Sequence, residues 1–456
     1  LFLKRRLSSA YGGLGALLFL SIPIILKLST TVYVDLGLIF FITCSILILF
    51  KWREKGMRFR YLAASALFCG LAVGTKYNGL IALFLLTLSV PLLYTRRGPA
   101  VPGRSVRSLG LAAAFFLVAV LVCSPWFIRN YHWTGNPLHP LYSQWFQPKE
   151  EEVVGAISTG APPQQVGHGT FTYRREVYGE SGWDIALLPI RIFFQGKDGD
   201  PRYFDGRLHP FLLILPLFAF MRSREGPEAE RLEKSYFLCF AVLFFGFAFF
   251  SQGLRVRYIA PIIPPLVILS VFGLRNLMAG IESFRRTRTR QAGLLVLGAA
   301  MLACALYSAG YLVEQYRIVQ PFGYLTGEVS RDAYITAHRS EYPVAQCVNR
   351  ETPLDAKVLL VFMGKRGYYL DRDYIVGVDR LGEIVMRAGT LEGVGQALLK
   401  DGITHIMTFL PILEKWGRDN LDEEKMDVMK RFFREHTRPL CLHAGYGVFR
   451  INGGGG

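Results

Sequence analysis

A single lysine, Lys76, interrupts the apolar stretch "GLAVGTKYNGLIALFLL" that runs from Gly70 to Leu86. A charged side chain at the centre of a bilayer costs at least about 3 kcal/mol, so a lysine kept in such surroundings points to a partner or a function. Other charged residues border apolar runs in the same way. Asp35 lies in "LSTTVYVDLGLIFF", Arg129 in "SPWFIRNYHWTGNPLHP", and Arg255 and Arg257 precede Tyr258 in "SQGLRVRYIAPIIPP". The chemistry these residue types suit is capture of an anion. Two guanidinium forks one residue apart at a helix start combine bidentate hydrogen bonding with a favourable dipole, and both favour a phosphate. A compact ammonium such as Lys76, with Tyr77 beside it, suits the same ligand. Asp35 would be a site carboxylate that orients a donor group or a basic partner. Each residue also has an ordinary reading. Lys76 can snorkel to water, Asp35 gains about 0.3–1 kcal/mol from a helix N-terminus, and the arginines can anchor the chain at the interface. Lys365 and Arg366, in "VFMGKRGYYLDRDY", could reach a head group or lie in a solvated loop.

Signatures of soluble enzymes are absent. No P-loop, GxSxG, HExxH or placed Rossmann fingerprint occurs. The eight histidines are scattered, so neither a metal nor a cofactor is expected. Seven cysteines are present, none as CxxC, which argues against zinc or redox chemistry. Cys44, Cys69, Cys123, Cys239 and Cys304 lie in or beside apolar runs. Cys347 and Cys441 fall in the polar C-terminal part and could form a disulfide if that part lies outside the cytosol.

The elements that must position these residues follow from hydropathy and charge. The chain of 456 residues carries a net charge of +17 at a mean hydropathy of +0.28. Apolar runs separated by basic clusters are the polytopic membrane pattern. The runs lie at 10–27, 32–50, 61–75, 77–94, 108–126, 209–221, 235–251, 258–274 and 292–313, about nine spans. Read as one helix, 61–94 would be about 51 Å long, too long for a hydrocarbon core of about 30 Å. It is better read as two helices with a turn at "GTKYNG". Basic loops at 4–6, 51–60, 95–107, 222–234 and 282–291 then fall on one side, which the positive-inside rule makes cytoplasmic. Because the basic residues belong to these short loops, nucleic acid is not an expected partner. The opposite side holds the loops at 28–31, 75–79 and 252–257, a long loop at about 127–208, and everything after about 314. Lys76, Arg255 and Arg257 thus violate the charge rule at one outer surface, where an anion would account for them.

The expected fold is a polytopic α-helical membrane protein with a small extracytoplasmic C-terminal α/β domain. Residues 1–313 form the membrane domain, with the aromatic-rich loop at about 127–208 as a cap. Residues 314–452 form the α/β domain, and 453–456 a flexible glycine tail. In the α/β domain, "AKVLLVF" and "ITHIMTF" read as strands and "RPLCLHA" with "YGVFRI" as a hairpin around Gly445. "DAYITAHRSEYPVAQCVNR", "GVGQALLKDG" and "EEKMDVMKRFFREH" read as helices. Alternating strands and helices suggest a mixed or parallel sheet.

The order "YVDL", "GLAVGTKYNGL", "SPWFIRNYHWTGNPLHPL", "RYIAPIIPPL" and a late outer α/β domain resembles the GT-C membrane glycosyltransferases. The likeness is strongest to the protein mannosyltransferase and aminoarabinose transferase group, glycosyltransferase family 39, and covers nearly the whole chain. It implies transfer of a hexosyl or pentosyl group from a polyprenyl-phosphate donor to a lipid, glycan or protein acceptor, at the periplasmic or exterior face of a bacterial inner membrane. It matches Asp35 to the family's acid after an early span, Lys76 to the lysine of a "GxxxGTKY" segment, and Arg257-Tyr258 to an "RY" before a proline-containing span. Donor phosphate contacts are then expected from Lys76, Arg129, Arg255, Arg257 and Tyr258. Further donor or acceptor contacts are expected from Tyr77, His132 and Asn136. The family's catalytic acid lies in a first outer loop with no counterpart here. "LFLKRRLSS" reads as a loop following an earlier span, so the general base is expected upstream of Leu1 and Asp35 is a helper. A non-catalytic binder or transporter of lipid-linked sugars is the alternative.

Overall fold

A computed structural model describes residues 1–96, 103–146, 170–221, 227–251, 254–364, 366–388 and 390–452. Lys365, the middle of the long outer loop and the glycine tail lie outside the described residues. The chain divides into two compact units, Leu1–Leu141 with Gly167–Gln315, and Tyr142–Val166 with Tyr316–Gly456.

The first unit is helical. Among the described residues, five helices are long and apolar enough to cross a membrane: Asp35–Glu54, Arg104–Thr134, Glu228–Phe249, Val256–Glu282 and Thr287–Val319. The other apolar runs are shorter or broken. The run at 10–27 forms helices Ser9–Ser21 and Pro23–Ser29, bent by 75°. Pro23 supplies no N–H and holds Ile22 in an extended conformation, which stops the first helix. The run at 209–221 holds an eight-residue helix, Phe211–Phe218, about 12 Å long and too short to cross a bilayer. The 61–94 region is two helices, Phe59–Thr75 and Gly79–Thr95, broken at residues 76–78.

The break between those two helices is held by backbone proximity. A Cβ on Gly79 would lie 2.6 Å from the backbone of Ala72, so only glycine lets the second helix start there. Asp35–Glu54 packs on Phe59–Thr75 through a reciprocal serine pair. Ser45 Oγ donates to the Ser65 carbonyl at 2.8 Å and Ser65 Oγ to the Ser45 carbonyl at 2.7 Å. Both serines are fully buried, and small polar residues of this kind hold apolar helices together.

Ion pairs sort the loops onto two faces of this unit. On one face, Arg6 pairs with Glu54 and Glu233, joining three of the segments read as cytoplasmic loops. On the other, Lys76 pairs with Asp35, Asn78 bonds Tyr258, and Lys27 and Arg255 reach Asp205. The segment after residue 170 is built of short helices around a buried charge cluster. Arg174 holds Glu180 through two hydrogen bonds of 2.6 and 2.8 Å, and Arg191 reaches the same carboxylate at 3.2 Å.

The second unit carries a five-stranded mixed sheet in the order β2-β1-β3-β5-β4. The strands are β1 (Lys357–Val361), β2 (Asp373–Val376), β3 (His405–Phe409), β4 (Thr437–His443) and β5 (Tyr446–Ile451). β1 runs parallel to β2 and β3, and β5 is antiparallel to β3 and β4. Leu359 and Val361 enter one apolar cluster and Val358 and Leu360 another, so β1 is buried on both faces, as an inner parallel strand requires. The β4–β5 turn has two residues, Ala444 and Gly445, both at positive φ (48° and 82°), the geometry that suits the strand twist. Cys347 and Cys441 are joined by a disulfide. The segment 332–350, read as one helix, is two: Arg331–His338 and Tyr342–Glu351.

Candidate active site

Asp35 is the first residue of its helix and is 1% exposed. A buried carboxylate demands a partner, and the helix break supplies one. Lys76 follows the last turn of Phe59–Thr75 in an extended conformation (φ −161°, ψ 144°), which turns its side chain out of the helix. Its ammonium lies 2.5 Å from Asp35 Oδ1 and 4.8 Å from the centre of the Tyr258 ring. Asn78 ties the same break to the Arg257 segment by donating to the Tyr258 carbonyl at 3.1 Å.

Arg257 lies near the same tyrosine. Its guanidinium is 5.2 Å from the Tyr258 ring and 4.7 Å from the Tyr33 ring. Nη2 approaches the Tyr258 hydroxyl at 3.5 Å. Nε is buried without a hydrogen-bond partner, and no carboxylate among the described residues forms an ion pair with Arg257. Two cations therefore face one carboxylate around Tyr258, leaving one positive charge in excess. Cation–π contacts stabilise a guanidinium by only about 0.5–2 kcal/mol and do not neutralise it.

The two arginines do not act as one fork. Arg255 has extended backbone angles (φ −119°, ψ 137°), and its guanidinium goes to Asp205 at 3.6 Å. Asp205 also meets Lys27 at 3.5 Å, and Lys27 holds Asp198 at 2.8 Å. Arg255 thus belongs to an ion-pair network that fixes the loop at 197–207 and is separate from the Lys76–Arg257 pair.

The remaining expected residues divide. Tyr77 donates its hydroxyl to the His139 carbonyl and accepts from Asn130 Nδ2 at 2.9 Å, so it anchors the loop after Arg104–Thr134. Arg129 is exposed and lies between Trp126 and Trp133, 4.7 and 4.3 Å from their ring centres. No contact joins it to Lys76 or Arg257. His132 is exposed as well. Asn136 is fully buried. Its Nδ2 donates to the Leu141 carbonyl at 2.8 Å and its Oδ1 accepts from the Leu138 N–H at 2.9 Å. That is a turn-forming role, with no atom left for a ligand.

Sequence reasoning missed His139, Asn130 and Trp126. They line a cleft of about 310 Å³ with Lys76, Tyr77 and Thr75. A second, apolar groove of about 560 Å³ is lined by Phe41, Leu71, Val122 and Trp126 among others. Gly74, Thr75 and Trp126 are common to both linings. Aromatic and histidine content near Arg129 was visible in the sequence, but nothing in the spacing separated His139 from His132.

Residues 1–134 match the model of the family described as dolichyl-phosphate-mannose-protein mannosyltransferase. Among curated proteins, no sequence matches the chain. Among solved structures, the fold is similar to that of ArnT from Cupriavidus metallidurans in the apo state. The TM-score is 0.52 and the identity 16%, over 98% of this chain and 79% of that one. The archaeal oligosaccharyltransferase AglB from Archaeoglobus fulgidus, in complex with an inhibitory peptide and a dolichol-phosphate, aligns with a TM-score of 0.38 and 12% identity. That alignment covers 89% of this chain and 56% of the other. The likeness to ArnT bears out the expected fold, apolar helices followed by a small α/β domain, and the family model matches the part of the chain that holds Asp35, Lys76 and Arg129.

Proposed function

We propose, from the GT-C fold and the mannosyltransferase family match, that this protein moves a sugar from a polyprenyl-phosphate carrier to an extracytoplasmic lipid, glycan or protein acceptor. The observation that carries the reading is the unbalanced charge at Tyr258. Lys76 and Arg257 flank one ring, Asp35 neutralises one of them, and Arg257 Nε is buried without a partner. A phosphate placed there would supply the missing negative charge and the missing acceptor. In the transfer, the acceptor hydroxyl or amine attacks the anomeric carbon, the carrier phosphate leaves with the bonding electron pair, and the acceptor's proton passes to water or to the leaving phosphate. Charge growing on that phosphate is where fixed cations help most. Asp35 holds the Lys76 ammonium in place, and the apolar groove beside Trp126 offers the carrier chain a path. Residues 1–313 would carry this chemistry, and 314–452 would form an outer domain. The Cys347–Cys441 disulfide supports an oxidising compartment for that domain.

The test is transfer from dolichyl-phosphate mannose, the donor named in the family description, and from related polyprenyl-phosphate sugars in proteoliposomes. Lys76→Ala and Arg257→Ala are expected to cut transfer while membrane insertion stays intact. Unchanged transfer in both would sink the reading. Tight donor binding without turnover in the wild-type protein would instead favour a lipid-linked sugar binder.

A further inference from the structure

We infer that the cleft beside Lys76 is the subsite for the sugar ring of the lipid-linked donor, with His139 as its hydrogen-bonding residue and Trp126 as its apolar wall. The inference rests on the proposed phosphate site. A sugar esterified to a phosphate at Lys76 has its anomeric carbon one oxygen away, so the ring must fall in space that Lys76 also borders. The 310 Å³ cleft is that space. Its volume sits at the small end of the range of about 300–1,000 Å³ for small-molecule sites. The wall is polar where a sugar needs it. His139 Nδ1 is buried and has no partner, an arrangement that is costly unless a ligand completes it. The ring's backbone is held in place, because the Tyr77 hydroxyl donates to the His139 carbonyl and Asn130 fixes that hydroxyl. Trp126, which also lines the cleft, packs against Gly74. A Cβ at Gly74 would lie 3.0 Å from the indole, so glycine there lets the indole sit back and keeps the cleft open. A tryptophan and an imidazole nitrogen are groups that recognise the apolar face and a hydroxyl of a hexose.

Binding of dolichyl-phosphate mannose, dolichyl-phosphate glucose and bare dolichyl phosphate to the purified chain in nanodiscs tests this. The wild type should bind at least one hexosyl form more tightly than the bare phosphate. His139→Ala should weaken that hexosyl form by about five- to tenfold, the effect of one neutral hydrogen bond, and leave bare dolichyl phosphate unchanged. Gly74→Val, which pushes the indole into the cleft, should do the same by crowding. Equal binding of hexosyl and bare forms by the wild type would overturn the inference. So would a loss in both variants that is the same for the sugar-bearing and the bare ligand, since that is what a merely structural role gives. Arg257→Ala separates the two readings. If it leaves bare dolichyl phosphate binding intact, the phosphate site has failed, whatever the sugar contrast shows.

Discussion

Charged residues gather at both ends of the helical unit, and Arg257 at one end is arranged on a different principle from the ion-pair clusters at the other. At the end that holds the first turns of the chain, Arg5, Arg6, Lys234 and Arg275 each have a carboxylate. Arg5 and Arg6 meet Glu54, Arg6 also meets Glu233, and Lys234 and Arg275 share Glu230 at 3.2 and 2.9 Å. Polar atoms there also satisfy backbone. Lys234 and Asn276 donate to carbonyls at the end of the Phe211–Phe218 helix, which like any helix leaves its last carbonyls without intrahelical partners. At the other end, Arg257 lies beside two aromatic rings, has an unpartnered Nε and forms no ion pair among the described residues. A cluster whose charges are closed has nothing left for a ligand, and its removal should be felt in stability. An open one should be felt in binding and rate.

The largest stability effect is therefore expected at a closed cluster. Glu180 is the carboxylate shared by Arg174 and Arg191 and its side chain is 1% exposed. Glu180→Gln removes one partner of a buried pair and should cost about 3–5 kcal/mol, read as a fall in thermal unfolding temperature in detergent. Acid should do the same reversibly. Burial alone would raise the Glu180 carboxyl, but hydrogen bonds and charge from Arg174, then Arg191, outweigh it and hold the group below its ordinary value. The unfolded chain then takes up the proton first. The stabilisation is complete above the ordinary carboxyl value of about 4.3 and is lost as pH falls from there through the folded value. A melting series from pH 7 to pH 3 should show this loss in the wild type and a flatter curve in Glu180→Gln. Parallel curves would mean that the cluster is not closed in the way described.

Arg257→Ala should show the converse. Removing one fixed cation aimed at developing charge costs about 10²–10³ in rate. No ion pair is broken, so the unfolding temperature should stay close to wild type. A variant that loses stability in step with activity would place Arg257 among the closed clusters and weaken the phosphate reading.

Much of this contrast was legible before any coordinates, and the reasons differ by element. The break at Lys76 showed because Gly74, Asn78 and Gly79 interrupt a run too long for one span. The placing of Arg257 beside the Lys76 turn showed because both violate the charge rule on the same side. The β1, β3 and β4–β5 strands showed through short β-branched and apolar runs. β2 did not. It is a four-residue edge strand that buries no residue fully, so it lacks an apolar signal. Nor did the helix Leu410–Asn420, whose Pro411 falls at its start, where a proline reads as a break. The pairing of Asp35 with Lys76 joins residues 41 apart and depends on how two helices pack, which local pattern does not encode. The divergence of Arg255 from Arg257 depends on Asp205, on a loop some 50 residues earlier, and sequence spacing alone made the two look equivalent.

That divergence gives the smallest effect and the sharpest test of the comparison. Arg255 and Arg257 are the same residue type, two positions apart, at the same helix start. Charge and helix-dipole arguments from sequence treat them alike. The structure gives Arg255 a carboxylate at 3.6 Å and leaves its side chain 37% exposed. An ion pair that open is worth about 0–1 kcal/mol. Arg255→Ala should therefore lower the unfolding temperature slightly and change transfer by a few-fold at most, because Lys27 still holds Asp205 and Asp198. The pair of variants, assayed on one donor in one preparation, isolates partner from position. If Arg255→Ala proves as damaging to transfer as Arg257→Ala, both guanidinium groups serve the phosphate, and the loss of Asp205 as a partner on donor binding would have to be part of the reaction cycle.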